Sequence, residues 1–97
     1  MPDPKSLKPG DRIKILRVPD NDLRQREHEI AKHTDSAGWT ANTIERIILQ
    51  NPVVRIDRID EYGSVWYDVE LVDQNGNAEY HSLTVYDDDT WERADGL

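Results

Sequence analysis

The stretch VWYDVELV, residues 65–72, alternates without a break: Val65, Tyr67, Val69 and Leu71 fall on one side, and Trp66, Asp68, Glu70 and Val72 on the other. A period of two is that of a β-strand with one buried face. VVRIDRI before it puts Val54 and Ile56 on one face. AEYHSLTVY after it turns His81, Leu83 and Val85 inward, and Tyr80, Ser82, Thr84 and Tyr86 outward. Between these last two runs, Asn75-Gly76 predicts a two-residue hairpin turn with positive φ at both positions. Near the start, Ile13 and Ile15 alternate with Arg12 and Lys14 up to Pro19, and TWERA around Trp91 supplies a short closing strand.

Between Pro19 and Pro52 the period changes. Residues 22–34 carry only Leu23, Ile30 and Ala31 on a helical stripe, with Asp22 and Gln25 at capping-box spacing. So sparse a stripe predicts a helix lying shallowly on the surface. DSAG, residues 35–38, breaks it. In WTANTIERIILQNP, Ile44, Ile47 and Ile48 form a tight apolar stripe, Asn42 and Glu45 have capping-box spacing, and Asn51-Pro52 stops the helix. Residues 1–9, with three prolines and two lysines, read as a loose arm.

The opening KPGDRIKIL, the meander VVRIDRIDEYGSVWYDVELVDQNGNAEYHSLTV and the short tail resemble small SH3-like barrel proteins, over residues 7–18 and 53–92. The resemblance implies a mainly β fold with a helical insertion: a small barrel of about five strands, with two helices between strand 1 and strand 2. It implies no activity. The ALYDY-type aromatics and the PSNYV segment of proline-peptide binders are missing, so no PxxP site carries over. A winged helix-turn-helix is the alternative, since EIAKHTDSAGWTANTIERIIL resembles a stretched version of that motif, with the hairpins as a wing.

Length bounds the organisation: 97 residues make one domain, able to bury about 60–65% of its unfolded surface. Within 1–97 we assign the arm to 1–9, the helical insertion to 20–51, and barrel strands to 10–19 and 53–92. The formal charge of −8 argues against binding a nucleic-acid backbone, which needs clustered Lys and Arg. The absence of Cys removes thiol catalysis, disulfides and the usual structural zinc sites. No run of apolar residues is long enough to cross a membrane and Met-Pro-Asp-Pro is no signal peptide, so we expect a cytoplasmic protein.

Candidate chemistry is thin. REHEIAKH, residues 26–33, comes within one residue of a zinc-protease signature, but His28 and His33 are five apart rather than four. That spacing puts their rings roughly 140° apart around a helix axis, too far to share an ion. The pairs Arg24–Glu27, Arg26–Glu29 and Glu29–Lys32 instead suit a solvated helix face. Asp87-Asp88-Asp89 lacks the alternating ligands and shaping Gly of a calcium loop, and reads as a turn. His81 and Ser82 are strand neighbours and point to opposite faces, so they make no nucleophile–base pair. No catalytic, metal-ligating or cofactor-binding residue is assigned, and we expect a protein that is not an enzyme.

What remains is the face carrying Trp66. If it coincides with the outward face of the next strand, Trp66, Asp68, Glu70, Tyr80 and Tyr86 form an aromatic and acidic patch, suited to an Arg or Lys of a partner protein. The competing expectation is that Ile44, Ile47 and Ile48 cover this face, since an apolar helix stripe must find a sheet to pack on. That second expectation is the one we favour from sequence. The functional expectation is a small protein-binding module for basic surfaces, as monomer or homodimer. Its alternatives are a self-associating structural protein and a DNA-binding winged helix.

Overall fold

A computed structural model of the chain describes residues 3–33 and 37–94. Five strands, β1 (Arg12–Ile15), β2 (Val53–Ile59), β3 (Val65–Val72), β4 (Ala78–Thr84) and β5 (Trp91–Arg93), form one antiparallel sheet in the order β4-β3-β2-β1-β5. Two helices, α1 (Asp20–Ala31) and α2 (Trp39–Gln50), lie between β1 and β2. The fold is therefore mixed α+β, with the insertion where the sequence places it. No ladder joins β4 to β5, so the sheet is open and the expected closed barrel is not formed.

Alternation explains the core. Ile13, Ile15, Val54, Ile56, Val65, Tyr67, Val69 and Leu71 all face inward and are buried, joined by Trp91 from β5. Ile44 and Ile47 of α2 pack into this same cluster, with Ile48 partly buried against it. Gln50 ties the helix to the sheet by accepting from Val72 N–H at 2.8 Å and donating to its carbonyl at 3.2 Å. The apolar stripe thus covers the inner face, the one already apolar by alternation, and leaves the Trp66 face open. Our expectation that the helices cover Trp66 is corrected: burying Ile44 and Ile47 against Val69 and Leu71 removes more apolar surface than burying them against Asp68 and Glu70.

Neither expected capping box forms. The first turn of α1 starts from Pro19 without a side-chain cap, and α2 starts from Gly38 in the left-handed region at φ 73°. Asn42 and Glu45 are instead the anchor for α1, because Arg26 donates to Asn42 Oδ1 at 2.9 Å and pairs with Glu45. Buried residues are lacking on α1, and Ile30 is exposed, as a sparse stripe requires. The loose arm is also corrected. Pro4–Ser6 form a 3-10 turn capped by Asp3, and Leu7 is a core residue at 2% exposure. Met1, Pro2 and the Asp35-Ser36 part of the expected helix break lie outside the described residues.

The two hairpins of the meander share one turn design. In each, an Asp carboxylate accepts two backbone N–H groups: Asp60 from Tyr62 and Ser64, and Asp73 from Asn75 and Asn77. Gly63 N–H donates to Asp60 O at 3.0 Å and Gly76 N–H to Asp73 O at 3.1 Å, with both glycines at positive φ. This is a three-residue loop ending in a left-handed glycine. Positive φ at Asn75 is not seen, so the two-residue turn expected there is replaced by this longer one. The inward and outward sets of β3 and β4 are nevertheless those read from alternation.

Candidate functional site

The outer sheet face is laid out in transverse rows by strand register. One row runs Arg12–Arg55–Asp68–Ser82, another Arg58–Trp66–Thr84, and Glu70 stands opposite Tyr80. Lys14 lies between Val53 and Glu92. Four of the five expected site residues, Trp66, Asp68, Glu70 and Tyr80, are thus brought onto one open face. Tyr86 is not among them. β4 ends at Thr84, and beyond it the Tyr86 hydroxyl donates to Asp22 Oδ1 of α1 at 3.4 Å. Burial, with Asp22 beside it, pushes the Tyr86 hydroxyl up from its ordinary pKa.

Each outer-face residue has a distinct setting. Trp66 is half-buried by its own chain: Arg58 stacks on the indole with its guanidinium 4.8 Å from the ring centroid, and Nε1–H donates to Asp60 Oδ2 at 2.9 Å. That bond, with the Ser64 and Tyr62 amides, holds the Asp60 carboxyl below its usual range. Trp66 is therefore engaged internally and braces the β2–β3 hairpin. Asp68 accepts from the Ser82 hydroxyl. Tyr80 is 77% exposed, and its hydroxyl is pushed up by Glu70 across the strand pair. Asp68, Glu70 and Tyr80 are the accessible part of the patch.

Sequence reasoning missed the basic half of the face. Arg12, Lys14 and Arg55 point outward by the same alternation that turns Ile13, Ile15, Val54 and Ile56 inward, so the signal was present. Arg58 was not legible that way. Continued alternation from Ile56 would turn it inward, but the register shifts between Ile56 and Arg58, and this bulge carries Arg58 to the outer face beside Trp66. The sheet surface is consequently bipolar, cationic on β1 and β2 and anionic on β3.

The remaining candidates fall elsewhere. His28 lies in the last turn of α1, whereas His33 is beyond the helix end at φ 55°. Asp88 accepts from Thr90 N–H at 3.0 Å and from its hydroxyl at 2.5 Å, and Asp89 pairs with Arg17, so the acidic run serves a turn. His81 faces inward, edge-on to Trp39 at 5.6 Å between ring centroids, with Nε2 3.8 Å from Glu79. A cavity of about 20 Å³, room for one water, lies among Ile15, Ile44, Tyr67, Tyr86 and Trp91. Among the described residues no helix is long and apolar enough to cross a membrane. Comparison of the chain with protein-family models, curated proteins and solved structures finds no match.

Proposed function

We propose that this protein is a small non-enzymatic binding module, acting in the cytoplasm, whose outer β3–β4 surface engages a basic segment of another protein. The observation that carries this reading is the open outer face, where exposed Tyr80 stands beside Glu70 and Asp68 while both helices pack on the other side. A cationic side chain laid there gains ionic contacts from two carboxylates and a cation–π contact from the phenol. The strand order, a meander β2-β3-β4 followed by β1 and β5, supports an SH3-like layout used as an interaction scaffold.

Titration with a short arginine-rich peptide tests the reading. Asp68→Asn with Glu70→Gln should weaken binding by about tenfold, and salt should weaken the parent's binding more than the variant's. Equal affinities for parent and variant at low salt would remove it. Self-association is favoured as second reading by the bipolar face: under a two-fold axis, Arg55 and Arg58 of one copy can meet Asp68 and Glu70 of another. Sedimentation across a concentration series separates the two.

A further inference from the structure

The two edges of the sheet are treated differently. At one, β5 has three residues, too short to template another strand. At the other, β4 has seven, and its register with β3 runs unbroken from Ala78 to Thr84. Edge strands are usually blunted by Lys, Pro, bulges or brevity. β4 carries no Lys, Arg or Pro and no bulge.

Its free hydrogen-bonding groups can be assigned. Val85 N–H donates to Val65 O, and Asn77 O accepts from Asp73 N–H. Continuing that ladder, Glu79, His81 and Leu83 turn their backbone groups toward β3, and Ala78, Tyr80, Ser82 and Thr84 turn theirs away. No hydrogen bond to these outward groups is found outside the sheet among the described residues. Tyr80 and Ser82 at the middle of the edge are exposed.

The charge around this edge is mainly negative. Glu79 is on β4 itself, Asp68 and Glu70 are on the adjoining strand, and Asp73 and Asp87 flank the two ends. Of the nearby cations, Arg46 is already paired with Glu79 at 2.5 Å, and Lys5 lies beside Thr84 and Asp87 at the end of the strand, away from Tyr80. A second copy of this chain would bring the same carboxylates and a net charge of −8 to the edge. A cationic strand meets no such opposition.

We propose that β4 accepts an extended cationic segment of a partner protein as a sixth strand, hydrogen-bonded to Tyr80 and Ser82 and flanked by Asp68, Glu70 and Glu79. This rests on the reading of a basic partner above and adds how that partner is held: backbone pairing supplies affinity and alternate side chains supply specificity.

The test uses an alternating arginine–valine peptide of about seven residues, matched to β4, with the isotope-labelled protein. At saturation, amide exchange at Tyr80 and Ser82 should slow by about tenfold or more, with little change at His81, already bonded to β3. Ser82→Pro should weaken binding by about tenfold while leaving the fold intact, because the lost N–H is not part of the β3 ladder. Should that variant fail to fold, the same peptide N-methylated at alternate residues replaces it, and one methylation phase should abolish binding to the parent. Unchanged exchange at Tyr80 and Ser82, with both methylated peptides binding normally and the Asp68/Glu70 variant still weakened, would overturn the strand addition and leave the face reading standing. Absence of any peptide binding would overturn both. Slow, concentration-dependent exchange at the edge without peptide would make the occupant a second copy and overturn the proposal.

Discussion

Gly38→Ala probes how the helical insertion is held off the outer face. Gly38 has φ 73°, and a Cβ built there would sit 2.4 Å from Arg26 Cγ and 2.5 Å from Cδ. The left-handed backbone alone costs alanine roughly 1 kcal/mol. Relieving the overlap moves the Arg26 stem, and with it the bonds to Asn42 and Glu45 that hold α1 on α2. That pairing is partly exposed, so its loss adds about 0.5–1 kcal/mol. We expect Gly38→Ala to destabilise by about 2 kcal/mol, seen as a urea midpoint lowered by about 1–2 M. The overlap is with a side chain, so it can be isolated. In an Arg26→Ala background the overlaps with Cγ and Cδ vanish and only a tight 3.2 Å approach to Cβ remains, so Gly38→Ala should cost little more than the backbone share of about 1 kcal/mol. An unchanged midpoint for Gly38→Ala, or the same cost in both backgrounds, would refute the packing of α1 across Gly38.

Trp66→Ala should cost about 1–2 kcal/mol in denaturant unfolding, for a half-buried ring losing the Arg58 stack and the Asp60 bond; a cost above about 4 kcal/mol would mean a fully covered core aromatic. Gly76→Val should cost about 1 kcal/mol or more, since a β-branched residue resists φ 83°, and an unshifted midpoint would remove the turn assignment. The Asp60 carboxyl, lowered chiefly by Trp66 Nε1–H, stabilises the fold above its ordinary pKa, and this is lost as pH falls through the lower folded value. Asp60→Asn should therefore flatten the acid limb of stability against pH. Asp22 has the opposite sign: burial, despite the Tyr86 bond and aided by Asp88, raises its pKa, so its stability contribution is present below the ordinary value and falls as pH rises through the folded one. Asp22→Asn should remove that fall, and an unaltered pH profile would show that the carboxyl is not desolvated.

Much of the fold was legible because β3 alternates perfectly and α2 has a tight stripe. Which face the stripe would cover was the harder question, because the apolar face was assigned to the core of a closed barrel, which left the helices only the Trp66 face. Physically, Val69 and Leu71 offered an apolar bed and Asp68 and Glu70 did not, so the helices went to the inner face. Tyr86 was misplaced because strand alternation holds only while the ladder lasts, and β4 stops two residues earlier. Arg58 was invisible because a single bulge at Asp57 inverts every later residue of β2, and bulges leave no period. Leu7, alone among polar neighbours, has no periodicity to reveal it as core. The recurring Asp-x-x-Gly of 60–63 and 73–76 was a usable turn signal, outweighed in reading by the more familiar Asn-Gly pair.

Charge reversal of the outer face decides whether its carboxylates bind a cationic partner. In Asp68→Lys with Glu70→Lys, the anionic half joins the cationic rows of Arg12, Lys14, Arg55 and Arg58, and the surface becomes predominantly basic. Binding of one arginine-rich and one glutamate-rich peptide is measured by calorimetry for the parent and this variant at low salt. The parent should bind the arginine-rich peptide, and the variant should lose that binding by about tenfold or more while gaining the glutamate-rich one. A variant that keeps the parent's affinity for the arginine-rich peptide would contradict this reading.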